Sequence, residues 1–280
     1  MWFRTLKVLG LIFFCFYPWW LLSIFLHPWY GPLLACIFTV LSLMILKLYP
    51  DVLLLALLKA KEQRKSISSE IFSQLKDVSF SYRIPTPKLY FTYKGTRNVY
   101  ALYRGKQATI IVHENCLNYL TKEEFHAVFS WLLSPLTRKM LRKGTFLSAL
   151  TSLAILPFIF MIILIRKLSF LPESLTDGPK TCFELLTLGL IEISHSIFYD
   201  QSIVNKTDLN LKAKLDSSSD LISALGKLEQ DKEPFSWAEK ILMSNRFSQT
   251  QHHVRIFSLL ANYNDPEQRI DILKNLEIGR

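Results

Sequence analysis

Two long uncharged apolar stretches lie near the start of the chain, at 8–26 and 29–46, with His27 and Pro28 between them. About 20 apolar residues are needed to cross the hydrocarbon core of a bilayer as a helix, and both stretches approach that length. Basic residues precede the first stretch and follow the second, whereas the loop between them has no Lys or Arg. The pattern predicts that residues 1–50 form a transmembrane helical hairpin with both ends in the cytoplasm.

A second membrane region is predicted in the middle of the chain. The apolar stretch 146–165 is flanked by basic residues at both ends, so its orientation in a membrane stays open. The weaker arm 182–198 contains Glu184 and Glu192, whose charges are costly at mid-bilayer depth. We expect 146–198 to form a hairpin that either inserts into the membrane or rests on it.

An amphipathic helix is predicted between these two membrane regions. Its apolar stripe recurs at helical spacing and comprises Phe125, Val128, Phe129, Leu132, Leu133 and Leu136. Thr121 followed by Glu124 gives a capping box that starts the helix. Pro135 should kink the helix or end its regular hydrogen bonding, because proline lacks a backbone N–H donor.

Composition and charge fit a membrane protein with a sizeable folded part. Of the 280 residues, 50% are hydrophobic, and the formal net charge is +10. Basic residues crowd the membrane-proximal segments 59–65 and 138–143, where anionic headgroups attract them. The chain has no Gly-rich phosphate loop and no basic motif interleaved with aromatic residues, which argues against nucleic-acid binding. Its four cysteines are scattered, which predicts free thiols in a reducing compartment.

The segment 120–136 resembles the signature helix of the HtpX-like, or CAAX-prenyl-protease-like, membrane zinc metallopeptidases, which reads roughly L-T-x-x-E-L-x-A-V-L-A-H-E-x-x-H-I. In such a helix two imidazoles at i and i+4 hold Zn²⁺, and the glutamate takes a proton from the metal-bound water. Here Trp131, Leu132 and Pro135 stand at the first zinc histidine, the catalytic glutamate and the second zinc histidine. Packing must then replace the contribution of the metal, so Trp131 should be buried against a returning helix near residues 200–208.

The family's third zinc ligand is a glutamate in the pattern E-x-x-x-D on that returning helix. The comparison places Val204 at this position with Asp208 as the aspartate, or Asn205 if no residue is inserted. The chain has no Glu between Glu192 and Glu229, so a small shift of register does not restore the ligand. The resemblance therefore implies that this chain binds no zinc, although the family does, and it implies no other cofactor.

Further segments similar to the family follow in its order along the chain. They are 87–91, 98–101 and 108–112 before the signature helix, and 213–228 and 267–273 after it. The resemblance implies an α+β zincin-like peptidase domain, mostly helical with a small β-sheet, on a transmembrane helical scaffold. Its two parts, 51–145 and 199–280, flank the membrane hairpin in the sequence. Both would lie in the same compartment. The membrane is expected to be the bacterial inner membrane, and the positive-inside rule places the folded domain on its cytoplasmic side.

With the zinc site replaced, the chain is predicted to be an inactive pseudopeptidase that binds a membrane or membrane-proximal protein, a role related to protein quality control. In the family the N-A-F-A strand borders the cleft and pairs with extended substrate. The corresponding residues are Asn98, Val99, Tyr100, Ala101, Leu102 and Tyr103. We expect them to form an exposed edge that captures an extended segment of a membrane protein. The alternatives are a merely structural edge and an active zinc metalloendopeptidase with rearranged ligands.

Two other places in the sequence carry side chains that bind metals. His113 is followed by Glu114 and Cys116, after a predicted strand, and His252 is followed by His253. The first group has no nearby partner with which to close a zinc site. Adjacent residues on a regular element point apart, which argues against the second pair. Neither is expected to hold a metal, and the first group is expected to consist of ordinary surface residues that lead into the following helix.

Overall fold

The computed structural model describes residues 13, 16, 17, 19, 20, 30–62, 69–93, 96–167, 181, 182, 185–191, 201–214, 219–229, 241 and 270. The elements with defined bounds are α1 Gly31–Leu48, α2 Pro50–Leu57, β1 Lys61–Glu62, α3 Ser69–Ser81, β2 Lys88–Thr92, β3 Val99–Arg104, β4 Gln107–His113, α4 Cys116–Tyr119, α5 Lys122–Leu133, α6 Pro135–Lys167, α7 Gln201–Lys214 and α8 Ser219–Glu229. Residues 185–191 are also helical. This mixed α/β architecture, mostly helical with a small four-stranded sheet, confirms the coarse fold class predicted from the sequence.

The four strands form one sheet in the order β1-β2-β4-β3. β2 and β4 are parallel, with Leu89 opposite Ile110, whereas the β1–β2 and β3–β4 pairs are antiparallel. Gly105 joins β3 to β4 with φ +60°, a left-handed conformation that glycine adopts without steric cost. β1 and β3 are therefore the two edges of the sheet.

The sheet separates two hydrophobic cores. Because successive residues of a strand point to opposite faces, β3 places Val99, Ala101 and Tyr103 in one core and Tyr100 and Leu102 in the other. The first core also contains apolar side chains of α3, α5, α7 and α8, and the second contains those of α1, α2 and the middle of α6. Since both faces are covered, β3 and β4 are buried at nearly every position instead of alternating between buried and exposed residues.

Helix α5 begins and ends where the sequence predicts. The side chain of Thr121 accepts a hydrogen bond from the Glu124 N–H, and the Glu124 carboxylate accepts one from the Thr121 N–H at 2.8 Å. The helix ends at Leu133, Ser134 is extended with ψ 149°, and Pro135 is the first residue of α6. The predicted capping box and the predicted break at the proline are both confirmed.

Helices α1 and α2 form a bent pair. α1 matches the predicted stretch 29–46 to within two residues, and the two axes differ by 84° across the break at Tyr49. Within the described part of the chain, no single helix combines the length and apolarity of a membrane span, whereas this bent pair does. The stretch 146–165 falls within α6. Most of the stretch 8–26, half of the arm 182–198 and most of the chain beyond residue 229 lie outside the described residues.

Candidate functional site

Trp131 and Asp208 form a buried hydrogen-bonded pair between α5 and α7. The indole Nε1 of Trp131 donates to Oδ1 of Asp208 at 2.6 Å, and both residues are at most 1% exposed. A hydrogen bond to a carboxylate is about twice as strong as one between neutral groups. The predicted burial of Trp131 against residues 200–208 is therefore confirmed, and the contact is polar as well as apolar.

Apolar side chains surround this pair. Val204 lies one turn before Asp208 on α7 and belongs to the same core as Trp131 and Leu132. Residues four apart share a helix face, so Val204 and Asp208 lie on the same face of α7. Asn205, the other position compared with the third zinc ligand, is half-buried. Val204 and Leu132 thus pack in the same core as the indole that forms the contact with Asp208.

The two positions compared with zinc histidines belong to different helices. Trp131 lies in the last turn of α5, whereas Pro135 is the first residue of α6. Ligands at i and i+4 need one continuous helix to reach a shared metal ion, and the extended Ser134 interrupts it. An indole and a pyrrolidine ring also offer no ligand atom to zinc. The residues present therefore do not fit the zinc ion that the resemblance would imply.

The break in the helix leaves the last carbonyl groups of α5 without N–H donors four residues further on, and the Trp131 carbonyl oxygen accepts the Ser134 N–H at 3.4 Å instead. Side chains from other elements also bind these carbonyl groups. The Tyr103 hydroxyl donates to the Leu132 carbonyl oxygen at 2.9 Å, and the Thr137 hydroxyl donates to the Trp131 carbonyl oxygen. A helix end that is buried without such partners is costly, because each lone carbonyl loses its hydrogen bond to water. These two contacts make the broken helix compatible with burial.

Tyr103 connects β3 to both α5 and α6. Its side chain binds the Leu132 carbonyl, and its backbone N–H donates to Oγ1 of Thr145 on α6 at 3.0 Å. Burial raises the pKa of the Tyr103 phenol, and the nearby Arg138 partly opposes this shift. The phenol therefore remains a protonated hydrogen-bond donor at any ordinary pH.

A second buried polar link joins the start of α5 to α8. Glu124 is 3% exposed, and its carboxylate accepts a hydrogen bond from Ser223 and forms an ion pair with Lys227 at 2.8 Å. Burial by itself raises the pKa of this carboxyl. The hydrogen bonds from Lys227, Ser223 and the Thr121 N–H outweigh that effect, so the pKa of Glu124 is lowered. The ionised carboxylate thus holds two helices together.

The six residues of the predicted peptide-binding strand, 98–103, are all buried. β3 is an edge of the sheet, but α6 packs along it. Two of its outward N–H groups already have side-chain acceptors, since Val99 donates to Oδ1 of Asn98 at 2.8 Å and Tyr103 donates to Thr145. The expectation of an exposed edge is therefore wrong, because α6 covers this strand. Peptide binding by these residues stays a prediction.

His113 and Cys116 are buried, so the expectation that they lie on the surface is wrong. Nδ1 of His113 accepts the Asn115 N–H at 3.3 Å, and Sγ of Cys116 contacts the Asn98 carbonyl oxygen at 3.7 Å. Among the residues that the structure describes, no group of three or more His, Cys, Asp or Glu side chains is arranged to hold a metal ion. The pair at 252 and 253 lies outside those residues.

Ser134 and Thr137 contribute to the site but were not predicted to do so. Their hydroxyl oxygens lie 2.7 Å apart at the start of α6. A serine directly before a proline is a common helix start, so the pattern S-P-x-T indicates a new helix beginning at Pro135. The contact of Tyr103 with Leu132 has no such local signal, because it joins residues 29 positions apart.

Comparisons of the chain with known protein families, with curated proteins and with solved structures gave no match. The interpretation of the site therefore depends on its own geometry. That geometry combines a buried indole–carboxylate pair, a helix broken at Ser134 and side-chain partners for the carbonyl groups at the break.

Proposed function

We propose that this protein is a catalytically inactive membrane pseudopeptidase of the HtpX-like type, which binds a membrane or membrane-proximal protein without cleaving it. The observation that carries the proposal is the 2.6 Å hydrogen bond between Trp131 and Asp208. A histidine that binds zinc almost always donates its other ring N–H to a carboxylate, a carbonyl or water. Trp131 stands at the first zinc histidine and Asp208 at the aspartate of E-x-x-x-D, so an indole N–H takes the place of the imidazole N–H.

The order and packing of the surrounding elements support the same proposal. The sheet precedes α5 in the chain, and α7 returns to pack on α5. In the family, the signature helix and the returning helix together supply the zinc ligands. Here Leu132 is fully buried at the position of the catalytic glutamate, and Val204 is buried at a position compared with the third ligand. We infer that the contact between the two helices persists without the metal.

We also propose that α1 inserts into a bilayer, which is the bacterial inner membrane in this proposal, and that the folded domain faces the cytoplasm. α1 carries no charged residue before Lys47. Its exposed large apolar side chains are Leu33, Ile37, Phe38, Val40, Leu41, Met44, Ile45 and Leu48. So large a contiguous apolar surface is unusual on soluble monomers. The 18 residues of α1 rise about 27 Å, somewhat less than the ~30 Å hydrocarbon core of a bilayer, so α1 reaches through most of that core.

The proposed partner is an extended segment of a membrane protein. Capture by residues 98–103 requires α6 to separate from β3, because the Tyr103 N–H is bound to Thr145. Separation frees the outward edge of β3, and a partner strand then pairs with it through backbone hydrogen bonds. Because of the hydrogen bond between Tyr103 and Thr145, capture of a partner strand requires α6 to move.

Crosslinking of the full chain in its membrane, followed by mass spectrometry of the bound partner, tests this function. We expect a partner that remains full-length on prolonged incubation, with or without a zinc chelator. Recovery of the partner only as fragments whose formation the chelator blocks would contradict the proposal. That outcome would instead support the alternative of an active zinc metalloendopeptidase with rearranged ligands.

A further inference from the structure

We infer that the corner formed by the end of α1 and the β3–β4 turn binds anionic lipid headgroups and thereby sets how the folded domain is oriented on the membrane. This inference rests on the proposed attachment of α1 to a bilayer. It adds a defined surface, which we call the basic corner and which consists of Lys47, Tyr49, Arg104 and Lys106.

The basic corner is held together by a contact between its two halves. The guanidinium carbon of Arg104 lies 4.1 Å from the centroid of the Tyr49 ring. Tyr49 directly follows α1, and Arg104 is the last residue of β3. A cation that lies over the face of an aromatic ring is attracted to the ring. Tyrosine is also enriched where membrane helices meet water. The contact fixes the tip of the β3–β4 hairpin beside the end of α1.

The charge of the basic corner suits an anionic surface. Lys47, Arg104 and Lys106 are all exposed, and residues 104–107 form an exposed turn. Asp51, an acidic residue two positions after Tyr49, is half-buried, and its Oδ1 atom is enclosed by protein. Each basic residue close to an anionic membrane adds to the attraction, and the effect fades within a Debye length.

The order of residues along α1 indicates that the partner of the basic corner is a bilayer. The last two turns of α1 expose three apolar residues, Met44, Ile45 and Leu48. Lys47 lies between the last two of them, and Tyr49 follows directly after Leu48. The chain therefore passes from exposed hydrocarbon to exposed aromatic and basic groups within one helical turn. That order is typical of a helix leaving the hydrocarbon core through the headgroup layer. A nucleic acid would match the charge but not the adjoining apolar surface.

Hydrogen exchange of the full chain in lipid nanodiscs tests this inference. The discs contain either phosphatidylcholine alone or phosphatidylcholine mixed with phosphatidylglycerol. We expect the amides of the turn 104–107 to exchange more slowly in the anionic discs, and we expect high salt to remove the difference. Lys106→Glu should reduce this protection at least about fivefold, since one basic residue near an anionic surface contributes ~1 kcal/mol.

Lys76→Glu is the matched control, because Lys76 is exposed on α3, which packs on the opposite face of the sheet. This variant should retain the full difference between the two kinds of disc. Equal exchange of the turn in both discs, or equal loss of protection in both variants, would overturn the inference. Failure of the proposed membrane attachment is a separate outcome, since the chain would then not remain in the discs at all.

Discussion

The Tyr103 hydroxyl donates to the Leu132 carbonyl oxygen at 2.9 Å, so that a residue of β3 closes the end of a helix that Pro135 interrupts. Tyr103 is 1% exposed, and its N–H is bound to Thr145 on α6. The break between α5 and α6 is thus supported from both sides by tertiary hydrogen bonds. The break is part of the fold, and it lies at the position compared with the continuous zinc-binding helix of the peptidases.

Replacement of Tyr103 by phenylalanine should leave the Leu132 carbonyl buried without its donor. We expect Tyr103→Phe to lower the free energy of unfolding by about 1–3 kcal/mol, measured by chemical denaturation of the purified chain. Tyr119→Phe is the control, because Tyr119 is 46% exposed and should change stability by less than ~0.5 kcal/mol. Equal effects of the two substitutions would show that the hydrogen bond to Leu132 contributes nothing.

Alkaline pH provides a related prediction. Burial raises the folded-state pKa of Tyr103 above that of an unfolded tyrosine, which is about 10. The stabilisation is therefore fully present below about pH 10 and is lost as pH rises further. The unfolding free energy of Tyr103→Phe should fall less steeply above about pH 10 than that of the parent chain. Parallel alkaline slopes for the two proteins would rule this out.

Substitutions of Trp131 separate packing from hydrogen bonding at the centre of the site. Trp131→Ala should cost about 3–5 kcal/mol, because it leaves a large cavity in the core. Trp131→Phe keeps much of the apolar volume but removes the N–H from Asp208, and should cost about 1–3 kcal/mol. Asp208→Asn retains an acceptor and should cost less than Trp131→Phe. Unchanged thermal stability of Trp131→Ala would mean that the indole is not buried as described.

The ion pair between the buried Glu124 and the half-buried Lys227 should govern stability at acid pH. Because the pKa of Glu124 is lowered in the folded state, its contribution is present above the unfolded pKa and is lost as pH falls through the folded value. Glu124→Gln should therefore destabilise the protein by about 1–3 kcal/mol at neutral pH and by less in acid. Glu70→Gln is the control, since the Glu70–Lys122 pair is exposed and should contribute ~0–1 kcal/mol. Similar pH profiles for both variants would contradict this assignment.

Local signals in the sequence predicted the local features of the fold. The capping box of Thr121 and Glu124 and the break at Pro135 depend on neighbouring residues, so the pattern alone identifies them. The burial of Trp131 against α7 followed from a comparison of motifs. The covered edge of β3 was not predicted, because it depends on where α6 packs after the chain turns at Ser134. The contact between Tyr103 and Leu132 was not predicted for the same reason. It depends on tertiary packing, and the periodicity of the sequence does not show which helix end lies beside a strand.

The zinc content of the detergent-purified full chain, measured by elemental analysis alongside a proteolysis assay, tests the central claim most directly. Trp131, Leu132 and Pro135 offer no zinc ligand, and the helix is broken between the first and the last of them. We predict far less than stoichiometric zinc and no cleavage that a chelator abolishes. Tightly held stoichiometric zinc, lost together with proteolytic activity in His113→Ala, would contradict the account and assign a rearranged catalytic site to this chain.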